Sequence, residues 1–466
     1  MFYLNAKEFL NNVSKEIRYK PANKPITEEL EAHIEELKND NLCKGLSEEQ
    51  AEECAVEQMG NPTKIGKRLN KIHKPKLDWK LIVLIAILIG FSIVLDIVNY
   101  SGNADYYSFK MDRTIKYIII GGILSSIIYF WDYRKCKNWA NVFFTIATGI
   151  LIFQWINAPL RIDNMIFGDM YLLNLRVWNV AIPLYIIAFA GYMADYKKED
   201  FWYMIILFTI SCVLIYWKSN SVTNTLILLV AYLTIVAAKL LKNNKQNIKK
   251  VVAIYGGTLS LAIIVMSIMT NMNVPYLYCG YTTEEDYAYN GYWYENTQEH
   301  EDKILNNLKW IGSTSEQEEL TETNSSHFRF LYILGRLGII PAAILAVTII
   351  FMCLRLVRNS KRIKDIYGKY LIIGLGTTYI MQSIIHILMN LKLWIRSDIN
   401  LPFVAEGNLY FLINCFTFAV ILSVYRRKDI NFEEPKKSKL VAKIEDFLFE
   451  EVKENEEGVE VINAHK

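Results

Sequence analysis

The chain has 466 residues, 52% of them hydrophobic and 21% charged, with a formal net charge of +3 and a positive mean hydropathy. It is too apolar for an ordinary soluble protein and too charged to lie wholly within a membrane. Lys and Glu crowd residues 1–77 and 430–466, whereas the middle carries long uncharged runs, so the placement of the basic residues says more than their sum. The seven cysteines (43, 54, 136, 212, 279, 353 and 415) form no CxxC pair and no Cys/His cluster, which predicts neither a disulfide nor a structural metal. Residues 1–20 lack an apolar signal core, so the first span is expected to act as an uncleaved anchor. No P-loop, dinucleotide fingerprint or nucleophile elbow occurs, and nothing points to a nucleic-acid partner.

Residues 1–77 read as a small cytoplasmic helical domain. Phe9, Leu10, Val13 and Ile17 recur at helical spacing within Ala6–Tyr19. Thr27 is placed to cap a second helix through Leu30, Ile34 and Leu37. Ser47 with Gln50 is a capping-box signature for a third, which Gly60 closes, and Pro62 suits the first turn of a fourth.

Ten apolar segments follow, near 80–98, 115–131, 139–156, 177–194, 201–217, 222–241, 251–270, 330–354, 370–389 and 405–425. Each is about long enough to cross a bilayer, and backbone in lipid must satisfy its own hydrogen bonds, so all are expected to be helices. The fold class predicted is all-α: a polytopic membrane body at 78–428 behind the domain at 1–77, with a charged cytoplasmic tail at 429–466. Basic residues crowd alternate loops: Arg134/Lys135/Lys137, Lys197/Lys198, Lys239–Lys250, Arg355–Lys364 and Arg426–Lys428. All fall on the side of Lys64–Lys80, which places both termini in the cytoplasm. The long external loop, 271–327, holds eleven acidic residues against Lys303 and Lys309 and an aromatic run from Tyr276 to Tyr294. Within it, Lys303–Trp310 is expected to form a short amphipathic helix. The tail reads as solvated, with a docking helix around Leu440–Val452 as the alternative.

Three motifs carry a family likeness. Leu401-Pro402-Phe403-Val404-Ala405-Glu406-Gly407, followed by a helix ending at Arg426-Arg427, resembles the last loop and helix of the FtsW/RodA/SpoVE (SEDS) cell-wall polymerases. There the pattern runs G-I-P-L-P-F-I-S-Y-G-G-S-S. His327-Phe328-Arg329-Phe330 through Gly335-Arg336-Leu337-Gly338 resembles the family's T-D-F-I-F-x-x-x-x-E-E-L-G start to the eighth helix. More weakly, Asn290-Gly291-Tyr292 is similar to its G-Y-Q segment. The resemblance covers about residues 78–428. It implies a multi-pass protein of a bacterial plasma membrane that polymerises lipid II, a lipid-linked precursor, into peptidoglycan. A class B penicillin-binding protein (a transpeptidase) is the implied partner, alongside membrane lipids.

At the position of the family's key Asp stands His327. A carboxylate there can hold a divalent cation and accept a proton, whereas an imidazole accepts a proton but binds hard Mg²⁺ poorly. A divalent cation is therefore implied only if the site is catalytic; no other cofactor or metal is expected. Arg176, Asn179 and Ile182 stand where the family's fourth helix has Gln, Glu and Lys, and Gly335-Arg336 replaces its paired glutamates. His386 and Ile395 stand at a usual Asn and Pro.

His327 reads either as a substitute base or as a neutral relic. Arg336, about one turn into the eighth span, reads as a phosphate ligand or as a snorkelling side chain. Lys392 and Arg396 could attract a diphosphate or anchor the loop. Glu406 pairs with Arg336 or Arg396, or serves as a helix-start carboxylate. Leu401, Pro402, Phe403 and Gly407 are the family motif itself.

Residues 1–76 resemble the "permease prefix" helical domain fused to membrane proteins of Gram-positive bacteria, through Glu29–Ile34, Gly45–Ala51, Ala55–Pro62 and His73-Lys74-Pro75. That likeness implies a regulatory module. Three functions stay open: a lipid II glycosyltransferase, a catalytically inactive relative that binds precursor or transpeptidase, and a lipid or solute transporter.

Overall fold

The computed structural model describes residues 5–98, 104–156, 178–195, 201–219, 221–243, 301–313, 328–395, 397, 399–404 and 409–428. Among these it is all-helical, with no strand. The chain divides into two compact units, Met1–Pro75 with Asp429–Lys466, and Lys76–Lys428.

The first unit contains α1 (Ala6–Glu16), α2 (Lys20–Cys43), α3 (Glu48–Met59) and α4 (Pro62–His73). Its core is Phe9, Val13, Ile17, Ala22, Ile26, Ile34, Ala55 and Val56. Ser47 and Gln50 form the expected capping box. Gly60 ends α3 at φ +86°, where a side chain would be strained, and Asn61 caps α4 with Pro62 in its first turn. Thr27 is a correction: it lies inside α2, its hydroxyl bonded back to the carbonyls of Asn23 and Lys24 at 3.0 and 2.9 Å. Pro21 starts that helix a full two turns earlier, and the hydroxyl turns inward on its own helix.

The second unit runs α5 (Trp79–Val98), α6 (Ala104–Phe130), α7 (Lys135–Asn138), α8 (Ala140–Ile156), α9 (Trp178–Asp195), α10 (Phe201–Ser219) and α11 (Val222–Asn243). It continues with α12 (Arg329–Arg336), α13 (Ile339–Arg362), α14 (Ile366–Asn390) and α15 (Leu409–Arg426). Among the described residues five helices are long and apolar enough to cross a membrane, α5, α11, α13, α14 and α15, and four shorter apolar helices accompany them within α6, α8, α9 and α10. The expected span at 251–270 lies outside the described residues, as do the loop up to residue 300 and the tail. Val83, Ile87, Val94 and Ile97 on α5, with Val347, Ile350, Phe351 and Leu354 on α13, remain exposed, a pattern that suits contact with lipid.

The centre is built on α14 and α15, in which 56% and 67% of the apolar window is buried against 28% in α5. Small residues bring the helices together. A Cβ on Gly374 would meet Ile186 of α9 at 2.6 Å and Ile235 of α11 at 2.7 Å, and one on Gly121 would meet the Cys415 sulfur at 2.7 Å. At the other end of α5, the buried Asp78 caps the helix through Leu81 N–H (3.2 Å) and receives both the Arg355 guanidinium (2.7–3.0 Å) and the Asn359 amide (2.6 Å).

The eighth span does not start at 330. A helix break at Leu337-Gly338 separates the short, almost fully buried α12 from α13. Gly338 sits at φ +98°, and its amide closes onto the Ile333 carbonyl at 3.1 Å, as in helices ended by a left-handed glycine. The segment 301–313, helical over 301–306, folds back on this corner. Carbonyls of Lys309 and Trp310 receive the first amides of α13, Ile339 (3.0 Å) and Ile340 (3.1 Å), and Leu337 O accepts Gly312 N–H at 2.9 Å. Orphan donors of the helix start are thereby satisfied by backbone alone.

A Cβ on Gly338 would lie 2.8 Å from Trp310 O and 2.9 Å from Lys309 O, whereas one on Gly312 (φ +90°) would meet open space. Left-handed backbone costs an alanine about 1–2 kcal/mol at either site. Gly338→Ala should therefore lower the Tm of the detergent-solubilised protein clearly more than Gly312→Ala; equal shifts would contradict the packed corner.

Candidate functional site

Polar chemistry in the membrane unit gathers at the end where α5 finishes and along the inner faces of α9, α14 and α15. The lone carboxylate in the apolar run of α5, Asp96, is buried against the fully buried Arg329 of α12, with N···O 3.4 Å, and receives the Thr114 hydroxyl of α6 at 3.0 Å. Neither residue was singled out from the sequence. An acid within an apolar span is costly without a partner, and that signal could have flagged Asp96. About two turns of helix further on, Arg336 donates to the Val98 carbonyl at 3.2 Å. It stands before the eighth span, not within it. A cation on the last carbonyl of α5 complements the negative end of that helix.

Lys392, at φ +59°, ion-pairs with Asp302 and lies 3.9 Å from Glu301. Acidic residues of the 301–313 segment thus occupy this cation. His327, Arg396, Glu406 and Gly407 lie outside the described residues. Of the family motif, Leu401, Pro402 and Phe403 are all buried. Phe403 adopts φ +64° and sets its ring edge-on against Phe418 (5.0 Å) and Phe411 (6.0 Å), while Phe418 meets Tyr379 at 5.1 Å. The motif works as a turn that packs α15 onto α14.

Behind that turn, His386 Nδ1 lies 2.9 Å from the Ile399 carbonyl, which favours the tautomer with its proton on Nδ1. Asn390 donates to His386 O (2.8 Å) and accepts the Leu331 amide (3.0 Å), stitching α12 to α14. Deeper in, Asn179, Ile182, Thr378, Tyr379, Gln382, Tyr410, Asn414 and Thr417 enclose a cavity of about 20 Å³. The hydroxyls of Tyr379 and Tyr410 are buried and have no hydrogen-bond partner among the described residues. The space suits one water molecule. Pro183 and Ile413 are shared with an apolar groove of about 240 Å³, lined also by Leu124, Leu184, Leu409 and Phe416.

Among the described residues no carboxylate, amine or imidazole lines the cavity or the groove. Such walls can hold a neutral polar group beside a hydrocarbon chain. Among the described residues no three His, Cys, Asp or Glu side chains are placed to hold a metal ion.

The buried Asp96–Arg329 pair gives a direct test. Breaking a buried pair from one side leaves an uncompensated charge, at about 3–5 kcal/mol. Arg329→Met should therefore lower Tm sharply, and adding Asp96→Leu should recover most of that loss. A double variant no more stable than Arg329→Met would contradict the pairing.

No family model matches the chain. A stretch of 139 residues is 26% identical to the probable peptidoglycan glycosyltransferase FtsW of Enterococcus hirae, covering 28% of this chain and 35% of that protein. The chain thus matches about a third of that relative's length. The fold is similar to a chain of a peptidoglycan synthase complex studied for the coordination of polymerisation and crosslinking: TM-score 0.54, 15% identity, 76% of this chain and 98% of that one. The rod shape-determining protein RodA of Thermus thermophilus aligns at TM-score 0.49 and 12% identity over 76% of this chain and 97% of its own. The chain thus resembles FtsW over one stretch and shares the fold of a chain from a peptidoglycan synthase complex, with the Leu401-Pro402-Phe403 turn buried against α15.

Proposed function

We propose that this protein works in peptidoglycan assembly in the bacterial plasma membrane, and that it engages lipid II or another lipid-linked precursor without polymerising it. In this reading the body has ten spans, both termini are cytoplasmic, and a class B penicillin-binding protein is its partner. The permease-prefix-like residues 1–77 are its regulatory module. Similarity over 98% of a chain from a synthase complex supports the cell-wall setting.

The observation that carries binding over polymerisation is the neutral cavity. Asn179 and Ile182 face it where the family has Glu and Lys. Of the cations expected at a diphosphate, Arg336 is bonded to Val98 and Lys392 to Asp302. The apolar groove of about 240 Å³ beside that cavity suits the hydrocarbon of a lipid-linked ligand, while the cavity itself has room for one water molecule.

Polymerisation is the second reading, favoured by His327 at the position of the family's key Asp and by the 139-residue stretch similar to a probable peptidoglycan glycosyltransferase. His327 would then take the proton of the attacking sugar hydroxyl, with Arg336 and Arg396 near the diphosphate and a divalent cation neutralising charge. Glu406 would orient one of these arginines. A solute transporter has no support beyond the prefix.

Purified protein given lipid II, Mg²⁺ and a partner transpeptidase separates the two. The binding reading expects lipid II retained on the protein and no glycan strands. Strands that vanish in His327→Ala would overturn it in favour of catalysis.

A further inference from the structure

Between Gln58 and Leu77 the chain holds six basic residues, Lys64, Lys67, Arg68, Lys71, Lys74 and Lys76, and no acidic one. Helical spacing of i, i+3, i+4 and i+7 puts the first four on one face of α4. All four are exposed, and no ion pair holds them among the described residues. The opposite face is fixed inward. Ile65 and Leu69 join the core of the first unit, and Gly66 packs so tightly on α1 that a Cβ would meet Glu16 at 2.7 Å and the Val13 carbonyl at 2.9 Å. The basic stripe therefore cannot rotate into the core. Among the described residues the exposed acids of this unit lie elsewhere, with Glu8 on α1, Glu29, Glu31, Glu35, Glu36 and Asp40 on α2, and Glu48, Glu49, Glu53 and Glu57 on α3.

From these observations we infer that the basic face of α4 docks on the anionic phospholipid headgroups of the leaflet at which α5 begins. Chain length makes the membrane the partner in reach. Trp79, the first residue of the apolar α5, comes five residues after Lys74, a stretch that spans at most about 17 Å. So short a tether holds the stripe near the bilayer at high effective concentration. Juxtamembrane clusters of four or more Lys and Arg are drawn to anionic leaflets within about a Debye length. The acidic α3 would be repelled by the same surface, so the charge asymmetry orients the small domain as well as attracting it. The result is a domain whose position responds to lipid charge and to salt. This inference stands independently of the peptidoglycan reading.

Lysine acetylation followed by mass spectrometry tests it on the full-length protein in nanodiscs. Phosphatidylcholine alone is compared with phosphatidylcholine containing phosphatidylglycerol. Lys64, Lys67 and Lys71 should react at least about threefold more slowly with phosphatidylglycerol present. The exposed Lys7 and Lys24 should not change. About 1 M salt, where the screening length falls to about 3 Å, should restore reactivity. In a variant with Lys67→Glu and Lys71→Glu, Lys64 should lose its protection. Equal reactivity in both lipids would overturn the inference. So would protection that persists in phosphatidylcholine alone, which would assign the stripe to an acidic protein segment such as residues 429–466.

Discussion

A charge carried into a hydrocarbon layer needs a partner of its own, and the membrane unit is organised around two places where this is met. At one end of α5, Asp78 binds Arg355 and Asn359 of α13, and Arg355 reaches Tyr425 of α15 at 3.4 Å. The Lys76 amide adds a bond to Arg426 O at 3.3 Å, so three helix ends meet at one carboxylate. Towards the other end, Asp96 answers Arg329 and joins α5 to α12 and α6. Single-sided loss of either pair would strand a buried charge, whereas the geometry as built fixes where α12 lies and hence where the Gly338 corner turns.

That frame holds the described part of the site through backbone and ring contacts. The corner is held by backbone bonds from residues 309–312, and the Phe403 turn is held by the rings of Phe411 and Phe418 on α15. Neither depends on an ionisable side chain. Asn179 and Ile182 line a cavity walled, among the described residues, by amides, hydroxyls and aliphatic carbon.

Much of the architecture was legible because it depends on local chemistry. Eight of the expected apolar segments fall on single helices of the described residues and a ninth, 330–354, is broken at Gly338, while the Ser47–Gln50 box and Gly60 were read from spacing alone. The break at Gly338 was hidden, since apolar content runs on through 330–354 and says nothing of a positive φ. The Asp96–Arg329 bond joins residues 233 apart, a separation that periodicity cannot span. Thr27 misled because a threonine after a polar stretch looks like a cap, while the earlier Pro21 had already begun the helix. For the candidate site, the motif located the turn correctly but carried no information that Arg336 and Lys392 had protein partners.

The central claim is that a lipid-linked peptidoglycan precursor is held by this fold. Photo-crosslinking with lipid II carrying a diazirine on its lipid chain tests it most directly, with the labelled peptides identified by mass spectrometry. The account predicts labelling of the α6, α9 and α15 walls of the apolar groove, suppressed by excess unlabelled lipid II but not by phosphatidylglycerol. Labelling spread evenly over the exposed faces of α5, α10 and α13, or equally suppressed by both lipids, would contradict it.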